Sequence, residues 1–241
     1  MKQNISFIIV TYKPDTAVLG RLQKSLAGKS IITIDNSKKN FGFGGGANVG
    51  IRKALAKGAQ WVVILNQDIE LTNASVEKLY RKLQLLPPCI AGPFAGSLDE
   101  LRWTTILPSK KVDYISGSCI AMHRKVITKI GMFYEPYFMY YEDADFCVRA
   151  KNAGFPLIHV SIAGISHNET TSLGRGSFLH QYYLARNHLL FVERNAPLLV
   201  KIHEMVRLPK TIWEHYKKQE RGALVGIRDY FLRRFGQYTP L

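Results

Sequence analysis

Residues 61–71 of the chain read WVVILNQDIEL. The five consecutive apolar residues at its start are enough for a strand buried on both faces and too few for a membrane span. The polar residues Asn66, Gln67 and Asp68 follow at once, so the chain leaves the core for the surface here. Ligands of open α/β sheets bind beyond the carboxyl ends of the strands. Asp68 is therefore the first candidate site residue.

Strand and helix patterns alternate before this stretch. Residues 5–10 form a continuous β-rich run, and residues 18–26 place their apolar side chains on one helical stripe. A second short strand is predicted at 31–34, and it closes on Asp35 and Asn36. The order strand, helix, strand implies a parallel pair with a crossover. The sequence therefore predicts an α/β fold.

A glycine-rich segment follows the second strand. Residues 40–50 read NFGFGGGANVG, and a helical pattern then runs through Lys57. Glycines permit close backbone approach and amides at a helix start attract phosphate, so the segment is a candidate cradle for a diphosphate. It fits a tight turn that feeds a helix equally well. A dinucleotide-binding fold would carry its glycines directly after the first strand, which argues against a Rossmann oxidoreductase.

An aromatic run at 137–141 leads into three carboxylates, Glu142, Asp143 and Asp145. The pattern that follows suggests a short helix with these residues in its first turn, where the helix dipole favours each negative charge by roughly 0.3–1 kcal/mol. That effect accounts for one carboxylate. Three of them beside aromatics that can wall a pocket favour a functional cluster. A helix start also keeps a carboxylate ionised, as a general base requires.

The C-terminal third offers one candidate metal ligand and a helical region. His167 follows the apolar segment 162–165, and imidazole suits first-row divalent ions, although a lone loop histidine also fits simple solvation. From Ser177 onward the chain is predicted to be helical, with breaks at Pro197 and Pro209.

The totals limit the class of protein. The formal charge of +15, from 33 basic and 18 acidic residues, predicts an anionic partner: nucleic acid, a phosphorylated substrate or an acidic membrane surface. Three cysteines, far apart and without a C-x-x-C pair, fit reduced thiols in a cytosol. The first apolar run is read as a strand rather than a signal peptide, and no apolar stretch is long enough for a bilayer. We expect a cytoplasmic protein, with any membrane contact peripheral.

Short motifs occur in a fixed order over roughly residues 4–195. They are Ile9-Val10-Thr11-Tyr12, Asp35-Asn36-Ser37, Asn40-x-Gly42 through Asn48-x-Gly50, Asn66-Gln67-Asp68, Ser116-Gly117-Ser118, Tyr141-Glu142-Asp143-x-Asp145 and His167. In this order the chain resembles the inverting glycosyltransferases of family 2, in the branch of bacterial rhamnosyl-, galactofuranosyl- and other polysaccharide-building transferases. Each motif is weak alone, but the ordered set is highly specific.

The resemblance implies a fold and a domain division. The expected fold is GT-A, with a mixed, mostly parallel sheet flanked by helices and a helical C-terminal extension. The catalytic domain is expected at residues 1–195. A basic, amphipathic helical extension is expected at residues 196–241.

The resemblance also implies site residues. Asn66-Gln67-Asp68 is similar to the family's Asp-x-Asp motif, whose last carboxylate holds Mg²⁺ or Mn²⁺, and His167 matches an additional metal ligand. Asp143 matches the general base. The chain departs from many relatives by having Asn66 in place of aspartate, so its metal site carries less negative charge. The implied donor-binding residues are Thr11, Tyr12, Asp35, Asn36, Asn48, Asn66 and Asp68. The residues expected at the acceptor or in support of the base are Trp103, Gly117, Ser118, Glu142 and Asp145.

The function that follows is transfer of a sugar from a nucleotide-diphosphate sugar to a hydroxyl of a growing, lipid-linked cell-surface glycan. The candidate donors are dTDP-rhamnose and UDP-sugars. A nucleic-acid-binding protein would fit the charge but leaves the carboxylates unexplained, and we expect no nucleic-acid partner. A sugar nucleotidyltransferase is the second alternative.

The segment 210–235 interleaves apolar and basic residues. Such a segment can lie on an anionic membrane leaflet. An apolar stripe that packs on the catalytic domain or on a second subunit fits the pattern equally well.

Overall fold

The computed structural model describes residues 4–167, 174 and 176–240. The strands are β1 (Ile5–Thr11), β2 (Ser30–Asp35), β3 (Trp61–Asn66), β4 (Ile69–Leu71), β5 (Ile90–Gly92), β6 (Ala95–Leu98), β7 (Thr105–Ile106), β8 (Tyr114–Ile115), β9 (Cys119–His123), β10 (Leu157–His159) and β11 (Ile165–His167). The helices are α1 (Thr16–Ser25), α2 (Gly42–Ala56), α3 (Asn73–Leu85), α4 (Arg124–Ile130), α5 (Glu142–Asn152), α6 (Phe178–Asn195), α7 (Leu198–Lys217) and α8 (Arg221–Phe231). A short 3-10 turn covers Glu135–Tyr137.

The central sheet has six strands in the order β10-β5-β9-β3-β1-β2. β1 pairs in parallel with β2 and β3, and β10 pairs in parallel with β5. Only β9 runs antiparallel to its neighbours in this sheet. The predicted mixed, mostly parallel sheet is therefore confirmed. Val10 pairs with both Ile34 and Asn66, so the carboxyl ends of β1, β2 and β3 meet at one edge.

Strand β3 is the centre of the core. Its residues 61–65 are all 0% exposed. Successive side chains of a strand point to opposite faces, and here one set packs with α1 and α3 while the other packs with α2. The continuous apolar run predicted this burial on both faces.

The glycine-rich segment forms the first turns of α2 and packs on the sheet. A Cβ on Gly50 would collide with the Ile8 side chain, and a Cβ on Gly46 would lie 2.9 Å from Val10 Cγ1. The glycines therefore let the helix lie directly against β1.

The first amides of α2 already have protein partners. Gly42 N donates to Asn40 Oδ1 at 2.9 Å, and Phe43 N donates to Phe138 O at 2.8 Å. These two amides are therefore not available to a phosphate in this conformation, which favours the tight turn that feeds a helix. The diphosphate cradle stays a prediction.

The C-terminal region is helical, as predicted, and its two outer helices differ in environment. Helix α8 packs on α6, where Gly222 and Gly226 come so close to the carbonyl oxygens of Phe178 and Tyr182 that a Cβ would collide with them. In α7, by contrast, only Val200 and Glu204 are buried. The division between residues 195 and 196 stays a prediction.

Helix α7 begins after Pro197, as predicted, but continues through Pro209. The predicted break at Pro209 is therefore wrong. Proline removes one N–H from the helix, and Pro209 is exposed, so water can bond the carbonyl that loses its partner. Among the helices of the described residues, none is long and apolar enough to cross a membrane.

Candidate active site

A cavity of about 440 Å³ lies where β1, β2 and β3 end. The start of α2, the segments before α5 and after β8, the end of β11 and the first turns of α6 supply the remaining walls. The lining residues are Val10, Thr11, Tyr12, Asn36, Asn40, Gly42, Phe43, Asn66, Gln67, Asp68, Thr105, Leu107, Tyr114, Ser116, Gly117, Ser118, Met139, Tyr140, Tyr141, Glu142, Asp143, His167, His180 and Leu184. Most of the predicted site residues therefore surround one space.

Gln67 fixes the loop that leaves β1. Its Oε1 accepts a hydrogen bond from Tyr12 N at 2.7 Å, and its Nε2 donates to Tyr12 O at 3.2 Å. The side-chain amide thereby continues the pairing of β1 with β3 beyond Asn66. The sequence analysis gave Gln67 no role of its own; the available signal was its place between two predicted site residues.

Asn36 lines the cavity and has an unused acceptor. It is 2% exposed, and its Nδ2 donates to Gly42 O at 2.9 Å. Its backbone N donates to Thr11 O at 2.8 Å, which ties the ends of β1 and β2 together. Its Oδ1 has no hydrogen-bond partner among the described residues. Since a buried acceptor without a partner is costly, a donor group of a bound ligand would satisfy it.

Strand pairing brings Asp68 and His167 together. β4 begins directly after Asp68 and pairs with β11, where Ile69 lies opposite His167. His167 Nε2 is 3.1 Å from Asp68 Oδ1 and 3.4 Å from Asn66 Nδ2. The two predicted metal ligands therefore share one corner of the cavity.

This corner fits a divalent ion that its substrate helps to hold. Carboxylate oxygen and imidazole nitrogen both suit first-row divalent ions. Within the ranges that the structure describes, no three His, Cys, Asp or Glu side chains cluster as a metal site. Of the described residues, Asp68 and His167 would supply two such ligands. Diphosphate oxygens and water would be further ligands, as in Mg²⁺ sites with few carboxylates.

Asp143 is held by two backbone amides at the start of α5. Its Oδ2 accepts from Gly117 N at 2.7 Å, and its Oδ1 accepts from Ala144 N at 2.8 Å. Burial raises the pKa of Asp143, and the two amides oppose that rise. The helix start thus limits an upward shift of the pKa rather than lowering it. A carboxylate with a raised pKa is a stronger base, which suits general-base catalysis.

Glu142 lies beside it with an unused oxygen. It is 5% exposed, and its Oε2 has no hydrogen-bond partner among the described residues. Burial raises the pKa of Glu142, and the neighbouring Asp143 raises it further. Two adjacent buried carboxyls do not both ionise readily. We assign the proton to Glu142 and the negative charge to Asp143, because Asp143 accepts hydrogen bonds from the backbone amides of Gly117 and Ala144.

The segment that leads to these carboxyls is backbone-strained. Phe138, Tyr140 and Tyr141 have φ angles of 65°, 67° and 74°. This left-handed region costs a non-glycine residue of order 1–3 kcal/mol, and such strain persists only where the surroundings impose it. The predicted aromatic wall is confirmed for Tyr140 and Tyr141, which line the cavity.

Two buried residues of α6 hold this segment in place. Asn187 Nδ2 lies 2.9 Å from Tyr137 O, 2.6 Å from Met139 O and 3.1 Å from Tyr140 O. Arg186 Nη2 also donates to Tyr137 O, at 2.9 Å. Both Arg186 and Asn187 are 0% exposed. These side chains therefore fix the approach to Asp143 without lining the cavity.

Asp145 is buried in contacts between α5 and α6. It is 0% exposed, with Oδ2 at 2.7 Å from Arg149 Nε and Oδ1 at 3.1 Å from Arg194 Nε. Asn195 Nδ2 donates to Oδ1 at 2.9 Å. Asp145 thus joins α5 to α6 and does not line the cavity, so any support of Asp143 is through this anchoring.

Three other predicted residues lie outside the cavity lining. Asn48 is 2% exposed and bonds the backbone of Phe133 at both ends of its amide, so it packs α2 rather than meeting a donor. Trp103 packs on Phe191 with ring centroids 5.7 Å apart. Asp35 lies at the end of β2, where it accepts from the backbone of the next loop. None of the three lines the cavity, and the predicted roles of Asp35 and Trp103 stay predictions.

Gly117 and Ser118 lie where a supporting role was expected. Both line the cavity; Gly117 donates to Asp143, and Ser118 O accepts from Asn66 N at 3.0 Å. The sequence analysis missed lining residues that lie outside the motifs. They include Thr105, Leu107, Tyr114, His180 and Leu184.

The arrangement can bind a divalent cation and a diphosphate at one corner and remove a proton at Asp143. Solved structures of two sugar transferases share the fold of this chain. A mannosyltransferase from Pyrobaculum calidifontis, determined with GDP-Man and Mn²⁺, matches with a TM-score of 0.57 and 12% identity over 97% of this chain and 75% of the other. GalNAc-T7, determined with UDP, GalNAc and Mn²⁺, also gives 0.57 and 12%, over 79% of this chain and 48% of the other. The fold is the GT-A fold of glycosyltransferases.

The sequence profile of the family described as "Glycosyl transferase family 2" matches residues 13–146, which is more than half of the chain. The protein belongs to this family and is a glycosyltransferase. The family resemblance drawn from the motifs is thereby confirmed, and the comparison favours a transferase over both alternative functions.

Three relatives share 26–28% identity. The dTDP-rhamnosyl transferase RfbF of Shigella flexneri is 26% identical over 95% of this chain and 97% of its own. The low-salt glycan biosynthesis hexosyltransferase Agl10 of Haloferax volcanii is 26% identical over 79% of this chain and 76% of its own. The N-acetylglucosaminyl-diphospho-decaprenol L-rhamnosyltransferase of Mycobacterium tuberculosis is 28% identical over 53% of this chain and 52% of its own.

Proposed function

We propose that the protein is an inverting hexosyltransferase that moves a sugar from a nucleotide-diphosphate sugar to a hydroxyl of a cell-surface glycan. The observation that carries the proposal is that Asp68, His167 and Asp143 line one cavity at the carboxyl ends of the sheet. That combination offers a place for a metal-bound diphosphate and a base within reach of the same substrate.

The donor side is proposed to be the end of β1 and β2 together with the corner at Asp68. Thr11, Tyr12 and Asn36 line the cavity there, and the free Oδ1 of Asn36 would accept a hydrogen bond from the nucleotide. Mg²⁺ or Mn²⁺ held by Asp68 and His167 would neutralise charge on the leaving diphosphate. The solved neighbours with Mn²⁺ support this choice of ion.

Asp143 is proposed as the general base. It takes the proton of the acceptor hydroxyl while the hydroxyl oxygen forms a bond to the anomeric carbon. The bond from that carbon to the diphosphate oxygen breaks, and nucleoside diphosphate leaves. A single direct displacement of this kind inverts the configuration at the anomeric carbon. Protonated Glu142, beside the base, would donate a hydrogen bond to an oxygen of the bound sugars.

The acceptor is proposed to be a growing glycan on a lipid diphosphate. The mycobacterial relative's name describes an acceptor of that kind, and the Shigella relative's name describes dTDP-rhamnose as donor. A lipid-linked acceptor is held in a membrane. We therefore propose that the enzyme works in the cytoplasm, as a peripheral protein at the inner face of the cell membrane.

A screen of nucleotide sugars with Mg²⁺ or Mn²⁺ tests the proposal. At about 100 times its Kd, the correct donor should stabilise the folded state by about 2.7 kcal/mol through mass action, and the melting temperature should rise. The same donor should be slowly hydrolysed to nucleoside diphosphate. dTDP-rhamnose and UDP-sugars are the first to try. Pyrophosphate formation from a nucleoside triphosphate and a sugar phosphate would instead identify a nucleotidyltransferase, and no response to any sugar nucleotide would refute the proposal.

A further inference from the structure

Helix α7 carries a long apolar surface that the described part of the chain leaves uncovered. We call this surface the α7 stripe. Each of its eight side chains is between 38% and 80% exposed. They are Leu198, Leu199, Ile202, Met205, Val206, Ile212, Trp213 and Tyr216. Twenty residues of helix extend about 30 Å, so the stripe is far larger than the scattered apolar residues of an ordinary surface.

The stripe occupies one side of the helix and is bordered by cations. At 3.6 residues per turn its members fall within roughly 140° of the circumference. On the same wheel Lys201 borders one edge, and Lys210 and Lys217 border the other. The opposite side of α7 meets the body through Val200 and the buried Glu204, whose carboxylate pairs with Arg102 at 2.9 Å. The outward direction of the stripe is therefore fixed.

The exposed charge around the stripe has one sign. Between residues 198 and 234, all of which are described, every exposed charged side chain is a cation. They are Lys210, Lys217, Lys218, Arg221, Arg228, Arg233 and Arg234. The acids of this region are buried or partly buried, and each lies beside a basic side chain.

The geometry points to an anionic lipid surface as the partner of the α7 stripe. Apolar side chains of an interfacial helix enter the boundary between headgroups and acyl chains, and bordering lysines extend their ammonium groups towards lipid phosphates. Trp213 and Tyr216 are residue types that favour this boundary. A second copy of the chain is a poorer occupant, because each copy carries a formal charge of +15 and the rims that would meet are both cationic.

This inference names the element that meets the membrane and corrects the sequence hypothesis for residues 210–235. Helix α8 belongs to the protein body, since Ala223 and Ile227 are buried and its two close-packed glycines face α6. The contact is therefore assigned to α7. The inference depends on the proposed function only for the idea that the membrane holds a lipid-linked acceptor. Binding of α7 to a membrane can be measured without any sugar.

Co-sedimentation of the full chain with vesicles, without nucleotide sugar, tests the inference. We expect binding to phosphatidylcholine vesicles that contain phosphatidylglycerol, weaker binding as salt rises, and little binding to phosphatidylcholine alone. The double variant Leu199→Glu with Val206→Glu should weaken binding roughly 10²-fold or more, because two apolar side chains no longer enter the lipid. Both residues are strongly exposed, so its melting temperature should stay that of the wild type.

A matched control and a charge variant complete the test. Leu85→Glu with Leu101→Glu alters two exposed leucines on other elements and should leave vesicle binding unchanged. Lys210→Gln with Lys217→Gln should weaken binding roughly 30-fold, at about 1 kcal/mol for each lysine. Equal binding to neutral and anionic vesicles would overturn the inference. The inference would also be overturned if the Glu substitutions left vesicle binding unchanged but dissociated a dimer seen by light scattering, because the α7 stripe would then bind a second copy of the chain. Donor turnover is measured separately, so a failure of either proposal is seen on its own.

Discussion

Replacing Asn187 by leucine tests whether α6 positions the catalytic base. The two side chains are similar in size, but leucine donates no hydrogen bond. Tyr137 O would keep its bond from Arg186 Nη2, whereas Met139 O and Tyr140 O would lose the Asn187 donor. An unsatisfied buried carbonyl costs roughly 1–3 kcal/mol. Because both carbonyls are partly buried, we expect the free energy of unfolding to fall by about 2–4 kcal/mol in total.

The activity should fall by more than this loss of stability explains. Three residues of 138–141 have positive φ, and without Asn187 the segment can relax toward ordinary backbone conformations. Asp143 lies two residues after this segment, and a displacement of about 1 Å at a reacting group costs roughly 10²-fold in rate. We expect kcat to fall by about that factor. The KM for the donor should change little, because the donor side is built from the ends of β1, β2 and β3.

The assay is the initial rate of nucleoside diphosphate release with the donor found in the screen, well below the melting temperature, beside calorimetric titration of the donor. Leu83→Ala is the control. It removes a fully buried side chain of α3, remote from the cavity, and should cost about 2–5 kcal/mol of stability with kcat unchanged. A wild-type kcat for Asn187→Leu, or equal losses of kcat in the two variants, would refute the positioning role.

Three further predictions concern the cavity itself. Asp143→Asn should lower kcat by roughly 10²–10⁴-fold with donor affinity retained, and a normal rate would exclude Asp143 as the base. Asparagine has one side-chain acceptor oxygen, so one of the two backbone amides that bond Asp143 loses its acceptor and a modest loss of stability is expected. Asp68→Ala should abolish activity and the extra thermal stability that Mn²⁺ gives in the presence of donor, with the metal-free melting temperature nearly unchanged; full turnover of the wild type in excess chelator would contradict this. Burial raises the pKa of Glu142 above its ordinary 4.5, so wild-type stability is lost as pH rises from that value through the raised pKa. Glu142→Gln removes this titration, so the free energy of unfolding of the variant, measured with denaturant, should increase relative to that of the wild type over the same pH range. A constant difference between the two proteins would show that Glu142 does not titrate there.

The local sequence determined the parts of the fold that depend on local patterns. The run from Trp61 to Leu65 predicted a strand covered on both sides, because five adjacent apolar residues leave no face for water. The polar end of that strand placed Asp68 at the ligand edge of the sheet. The three acids of 142–145 marked the start of α5, since a helix N-terminus favours negative charge. These effects act within a few residues, and a linear pattern therefore records them.

Only the tertiary structure decided which motif residues meet in the cavity. Asn48 and Asp145 belong to the same ordered motifs as Asp68 and Asp143, yet they are buried in packing contacts. Nothing in the spacing of residues distinguishes an amide that holds a backbone from an amide that faces a ligand. Asn187 shows the converse, because its three carbonyl partners come from a segment 47–50 residues earlier.

The two outer C-terminal helices show the same limit. Both α7 and α8 have apolar and basic residues in alternation, and periodicity reports which side of a helix is apolar without reporting what covers it. The close approach of α8 to α6, through Gly222 and Gly226, gives its apolar side a protein partner, whereas the apolar side of α7 remains exposed. That difference arises from contacts between elements distant in sequence, which only the folded chain brings together.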